Sequence, residues 1–275
     1  MPAPLSALAY SCPDCIGDTT VISAERPVTG IYAIEVGNRR SVAEYLSPIC
    51  YSGTEWAASG HWSKVMPFSP ERAMMSFEGR IGYASMLNPS RSARTHGLEG
   101  YFGWQMHGYW RLPYGLTVSV GGGPRLTGGV LALLRNSNNP VDVTIKMALE
   151  AGATLSWRSR IGKLPIVVSD RLSLPIAGAF FMPQYGETFY EIYLGNRRGL
   201  AHFGWCGNMP GVDNVISVSL DFGKTAMTIG YRLYYGSAYA NNLSTRTLSN
   251  GFVIGVIPHG LGMKRRHCRR EIRPF

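Results

Sequence analysis

The sequence predicts an all-β chain, an antiparallel up-and-down transmembrane β-barrel of about ten strands, with twelve as the alternative. Three observations carry this reading. First, the stretch Val143–Arg158 (VTIKMALEAGATLSWR) sorts cleanly at period two. Val143, Ile145, Met147, Leu149, Ala151, Ala153, Leu155 and Trp157 form one apolar row, and the residues between them are polar or small. A helix mixes two such sets, whereas a strand separates them. The stretch also exceeds the roughly 3–10 residues of an ordinary soluble strand and, tilted by about 45°, is long enough to cross a bilayer. Second, tryptophans fall on the apolar rows near strand ends. Third, short and long connectors alternate along the chain, as in outer-membrane barrels.

The other strands repeat the pattern in order. Thr29 to Gly37 is short, with Tyr32, Ile34 and Val36 on one face. Thr54 to Met66 sets Trp56, Ala58, Gly60 and Trp62 against Glu55, Ser59 and His61. Met75 to Tyr83 opposes Phe77 and Ile81 to Glu78 and Arg80, and Leu98 to Arg111 opposes Phe102, Trp104, Met106 and Trp110 to Glu99, Gln105, His107 and Arg111. A fifth strand begins at Leu116, and its Gly121-Gly122-Gly123-Pro124 centre predicts a bulge or sharp bend. After Val143–Arg158 comes Ile166 to Phe180, where Asp170 falls on the apolar row and is expected at the membrane interface. Val215 to Phe222, Met227 to Tyr235 and Phe252 to Ile257 complete the set. Long polar connectors are expected at 38–53, 84–96, 134–141, 181–212 and 236–249. A hairpin within 181–212 would raise the count to twelve.

A soluble sandwich or lipocalin-like barrel shows the same alternation with the apolar row turned inward. Strand length, tryptophan placement and connector rhythm favour the apolar row facing lipid. Mean hydropathy is −0.03 and no apolar run approaches the 18 or so residues of a spanning helix, which excludes a helical membrane protein. Residues 1–26 are read as residual signal or leader and linker, 27–262 as the barrel, and 263–275 as a basic tail. That tail contributes to the net charge of +10 and is read as a solvated terminus near anionic lipid rather than a nucleic-acid site. Cys12-Pro-Asp-Cys15 has metal or redox spacing, but there is no second CxxC and no βαβ context.

Three groups of segments resemble an uncharacterised outer-membrane barrel family of the Bacteroidota. They are Tyr45-Leu46-Ser47-Pro48 running to Gly53, Phe181-Met182-Pro183 with Tyr185-Gly186 through Ile192, and His202-Phe203-Gly204 with Gly207-Asn208. Asn241-Asn242, Thr245 and the stretch up to Val256 extend the likeness, which covers roughly 28 to 260. The resemblance implies a Gram-negative outer membrane and brings no activity.

The inward polar row is the first place to look for chemistry. Glu55, His61, Glu78, Arg80, Glu99, His107, Arg111, Lys146, Glu150, Arg158, Arg171, Asp221 and Arg232 should share the lumen. Buried charges must pair, so a salt-bridged plug is the leading expectation, ahead of a narrow channel. A hydrolase at the outer rim would need His202 and Asn208 with Ser47 or Ser244, without any local nucleophile motif in support. No cofactor, metal or nucleic acid is expected, and the chain leans towards a non-enzyme. The expected partners are outer-membrane lipid, lipopolysaccharide and a membrane protein meeting the aromatic loop 181–212.

Overall fold

The computed structural model describes residues 28–258, apart from 67–68, 70–71, 136–139, 163, 188, 196–198 and 223–224. The leader, Cys12, Cys15 and the basic tail lie outside the described residues. The strands are β1 (Val28–Ala43), β2 (Ser47–Val65), β3 (Ala73–Leu87), β4 (Arg94–Arg111), β5 (Leu116–Ala132), β6 (Val141–Ile161) and β7 (Leu164–Phe181). They are followed by β8 (Ala201–Trp205), β9 (Gly211–Asp221), β10 (Thr225–Ala240) and β11 (Leu243–Pro258). β1 to β7 pair in order, β7 pairs with β9, and β11 returns to β1, giving a closed antiparallel barrel of ten strands. All backbone groups of the wall can then pair within it, which is what a bilayer requires of a spanning sheet.

The count is ten rather than twelve because β8 adds no hairpin to the wall. It continues the line of β9 beyond an interruption at 206–210. β7 pairs with β9 up to Ser173 opposite Asp213, then with β8 from Ala177 opposite Trp205. Pro175 sits at that changeover, where a missing N–H breaks no ladder, and Ile176 is the extra residue opposite β6.

The faces follow the alternation. Met147 and Leu149 are 58% and 53% exposed on the outer wall, whereas Glu150 is 5% exposed inside. One line of paired residues passes through every strand on the outer wall: Val130, Leu98, Tyr83, Trp56, Val36, Phe252, Tyr231, Ile216, Asp170, Leu155, Val118 and Trp110. Because barrel strands tilt, this line climbs from one end of the wall to the other. Eleven of its twelve members, counted from those pairings, are apolar or aromatic. Asp170 is the exception, and it sits within the wall rather than at its edge, with Val168 below it and Leu172 and Leu174 above.

Three expectations need correction. The segments 38–53 and 236–249 are mostly strand, joined by tight turns at Glu44–Leu46 and at Asn241-Asn242. Both asparagines adopt positive φ (51° and 58°), the conformation a two-residue hairpin demands. Strict short–long alternation therefore fails. Among the described residues at that end of the barrel, the loop end, 182–210 is the longest excursion. β5 also carries no bulge at its glycines, holding one register with β6 from Leu116–Trp157 to Ala132–Val141. The glycines are required by close approach: a Cβ at Gly121 or Gly123 would collide with the carbonyl oxygens of Met106 or Trp104 on β4.

Candidate functional site

Inside the wall the chain builds a layered core. At the turn end, inward-facing Val65, Met74, Tyr109, Val167 and Ile257 are each 3% or less exposed and form an apolar floor. Above it lies a hydroxyl-lined chamber of about 60 Å³, with His61, Ser63, Ser156 and Arg171 in its wall. His107 approaches Ser76 Oγ at 3.2 Å through Nε2.

The next layer is a belt of charges. Arg39 reaches Glu99 at 2.5 Å and Glu55 at 3.4 Å, while Arg80 reaches Glu35 at 2.7 Å and Glu55 at 3.2 Å. Arg125 lies 2.9 Å from Asp213, 3.0 Å from Glu150 and 3.5 Å from Glu78. Arg232, 4% exposed, bridges Glu35 at 3.3 Å and Asp213, and donates to the Tyr101 hydroxyl at 2.5 Å. The Tyr101 hydroxyl donates in turn to Glu78 at 2.7 Å, and its ring carries the Arg125 guanidinium 4.2 Å above it. Arg171 touches Glu78 at 3.4 Å, and the Ser249 hydroxyl donates to Glu55. Each of the ten wall strands contributes a member. The forked guanidiniums suit this work, since each can serve two carboxylates at once.

Glu55, Glu78, Arg80, Glu99, Glu150, Arg171 and Arg232 thus meet in one network, as the alternation places them. Lys146 lines a separate chamber of about 40 Å³ above the belt, with no carboxylate at ion-pair distance among the described residues. Arg111 is a different case: it ends β4, is exposed and stacks over Tyr109 at 5.6 Å. Arg158 and Asp221 lie near the turn end, away from the belt. Glu35, Arg39, Arg125 and Asp213 are further belt members absent from the expected set; Arg39 and Asp213 fall outside the expected strands, whereas Glu35 lies within Thr29 to Gly37.

The loop end is covered by 182–210, which carries a short helix, α1 (Phe189–Tyr193). Met182 and Met209 pack with Tyr45, Ala148, Phe180, Ala238 and Leu243 in an apolar cluster over the upper chamber. The Tyr45 hydroxyl donates to Glu187 O at 2.5 Å. Burial, followed by the charges of Asp142, Glu187 and Glu191, pushes this phenol up to about 12, so it stays a donor. Asn241, held at positive φ by the turn, donates to Met182 O at 3.0 Å and Gly199 O at 3.1 Å and meets His202 Nε2 at 3.2 Å.

The other rim candidates serve local structure. His202 Nε2 also lies 3.1 Å from Met182 O, and Asn208 caps Trp205 N at 2.8 Å. Ser47 Oγ accepts from Ile49 N at 3.3 Å. Ser244 is buried, with a hydroxyl that has no protein partner. No bond joins His202 to either serine among the described residues, and no three His, Cys, Asp or Glu side chains there gather as a metal site.

The Asn241 clasp makes a prediction. Asn241→Gly keeps the turn conformation but removes the side-chain bonds, each worth about 0.5–1.5 kcal/mol net. Limited proteolysis within 182–210 should accelerate while global unfolding in urea stays put. Asn241→Ala should add about 1–2 kcal/mol of left-handed backbone cost. Unchanged cleavage in the glycine variant would show that the apolar cluster alone holds the cap.

Comparison with known proteins places this architecture. The outer membrane protease OmpT of Escherichia coli has a TM-score of 0.51 at 8% identity, covering 88% of this chain and 99% of that one. The transport unit of the E. coli autotransporter AIDA-I gives 0.44 at 6% identity (88% and 91%), and the Bordetella BrkA beta domain 0.40 at 10% (84% and 98%). The OmpT likeness is one of fold. No curated protein matches the chain. Residues 14–267 match the family model described as "Protein of unknown function (DUF3316)", and the chain belongs to that family.

Proposed function

We propose that the protein is a non-conducting component of a Gram-negative outer membrane, of Bacteroidota type, that anchors and presents a partner-binding surface. The belt carries this reading. Selective channels tend to line their constriction with one sign of charge, whereas here Glu35, Glu55, Glu78, Glu99, Glu150 and Asp213 are interleaved with Arg39, Arg80, Arg125, Arg171 and Arg232. Mixed signs attract across the lumen and close it. The floor and the cap lie in series with the belt on the same axis. Lipid and lipopolysaccharide surround the outer wall in this reading. The exposed Tyr185, Tyr190, Tyr193, Phe203 and Trp205 of 182–210 face outward as the surface offered to a membrane protein partner. The rim-hydrolase reading is weaker, because His202 Nε2 is occupied by cap contacts.

Planar-bilayer recording tests the proposal. Purified protein should insert without stable single-channel steps. Large, ion-selective steps from the wild type would replace this reading with the narrow-channel one.

A further inference from the structure

Asp170 is a carboxylate on a surface otherwise built for hydrocarbon. It is exposed, faces outward, and pairs in register with Leu155 on one side and Ile216 on the other, both about half exposed. Trp157 on β6 lies one outward step nearer the turn end. A charge at such a position costs free energy, and ionisable residues within membrane spans mark functional contacts by default. Asn214 donates to Asp170 Oδ1 at 2.6 Å through Nδ2, and the same nitrogen reaches Arg171 O at 3.3 Å. Both N–H groups of the amide are thereby used. What the pair still presents to the bilayer is acceptors alone, Asp170 Oδ2 and Asn214 Oδ1.

A pair whose free atoms are a carboxyl oxygen and an amide oxygen is complemented by a cation. Among the described residues, the outward cations Arg40, Arg94 and Arg246 sit towards the loop end of their strands, and Lys64 towards the turn end. Of these, Lys64 lies nearest in level to Asp170, so a second copy is the alternative occupant that the experiment below separates. We infer that the Asp170–Asn214 pair is the docking point for a membrane-spanning segment of another protein that carries a lysine or arginine at the same depth. The inference rests on the lipid-facing outer wall of the proposed function and names the chemistry of one partner.

The test uses the full-length barrel, fluorescently labelled in phosphatidylcholine vesicles, with acceptor-labelled synthetic helices of about 20 Leu and Ala residues. One helix carries a lysine at the depth of Asp170, a second a leucine there, and a third a glutamate. The lysine helix should associate roughly five- to thirty-fold more strongly than the leucine helix. That advantage should persist in Asp170→Glu and vanish in Asp170→Leu and Asp170→Asn. Heat-dependent migration on gels checks that each variant is folded, and removing a lipid-facing charge should not impair folding. Equal binding of all three helices, or retention of lysine selectivity by folded Asp170→Leu, overturns the inference. Energy transfer between two wild-type copies that is lost in Asp170→Leu would overturn it as well, by making a second copy the occupant. Failure of the protein to float with vesicles would instead sink the membrane reading beneath both proposals.

Discussion

Replacing Arg232 by methionine should destabilise the barrel by about 3–5 kcal/mol, the scale for removing one partner from a buried ion pair. The side chain touches Glu35, Asp213 and Tyr101, and lies 3.8 Å from Glu78. Methionine fills similar volume but leaves these carboxylates short of donors in a space with no room for bulk water. Urea unfolding in lipid vesicles, followed by tryptophan fluorescence, measures the loss. Pairing the change with Asp213→Asn should recover part of it, because one orphaned charge goes with the cation. A loss under about 1 kcal/mol would mean that the belt carboxylates are hydrated, since exposed pairs contribute no more than this.

The second large effect lies at the seam. β1 and β11 close the barrel, and Gly37 stands opposite Gly251 there. A Cβ at Gly37 would collide with the Asn250 carbonyl oxygen and the Gly251 Cα, which are backbone atoms that cannot rotate away. Overpacking costs about 1–3 kcal/mol where side chains can shift, so Gly37→Val should cost at least that. The folded, heat-resistant species on gels should fall sharply in yield, while Val36→Ile on the outer face should fold normally. A normal yield for Gly37→Val would show that the seam tolerates a displaced ladder.

The parts of this architecture legible in sequence are those where one face meets lipid and the other does not. There the contrast is strong, as in Met147 against Glu150, and the faces come out right. Towards the loop end the outward positions turn polar as well, as at Asn38, Arg40, Ser52 and Thr54, so Arg39-Arg40-Ser41, Ser47–Gly53 and Gly236–Ala240 lose their alternation and look like loops although they are strand. Some belt members were missed at such boundaries, whereas Glu35 stood inside the expected first strand and was overlooked. Arg39 and Glu35 continue the inward parity of Ala33, yet Arg39 fell in an expected connector. Arg125 follows the inward parity of Ser119, but the expected bend at Gly121–Pro124 concealed it. Asp213 shares the parity of Ser217, just outside the strand as drawn. Extending each parity to the next turn signal would have found all four. The partners that hold the cap could not be foreseen, because the contacts of Tyr45 and Asn241 with 182–210 join residues far apart in sequence. The rim set of His202, Asn208, Ser47 and Ser244 was assembled from residue type alone.

The belt also bears on how the barrel is made. Several of its contacts skip neighbouring strands: Arg39 of β1 to Glu99 of β4, Arg125 of β5 to Asp213 of β9, Arg171 of β7 to Glu78 of β3. A growing, still-open sheet can zip its ladders one strand at a time, but it cannot form these pairs. They appear only when the sheet curls and its far sides meet. Until then each guanidinium and carboxylate keeps its water, and curling must strip that water before the cross-lumen partner arrives. Formation of the last seam and drying of the interior are therefore one event, late and all-or-none. An assembly intermediate should be recognisable by having its β ladders in place while its interior arginines remain open to solvent.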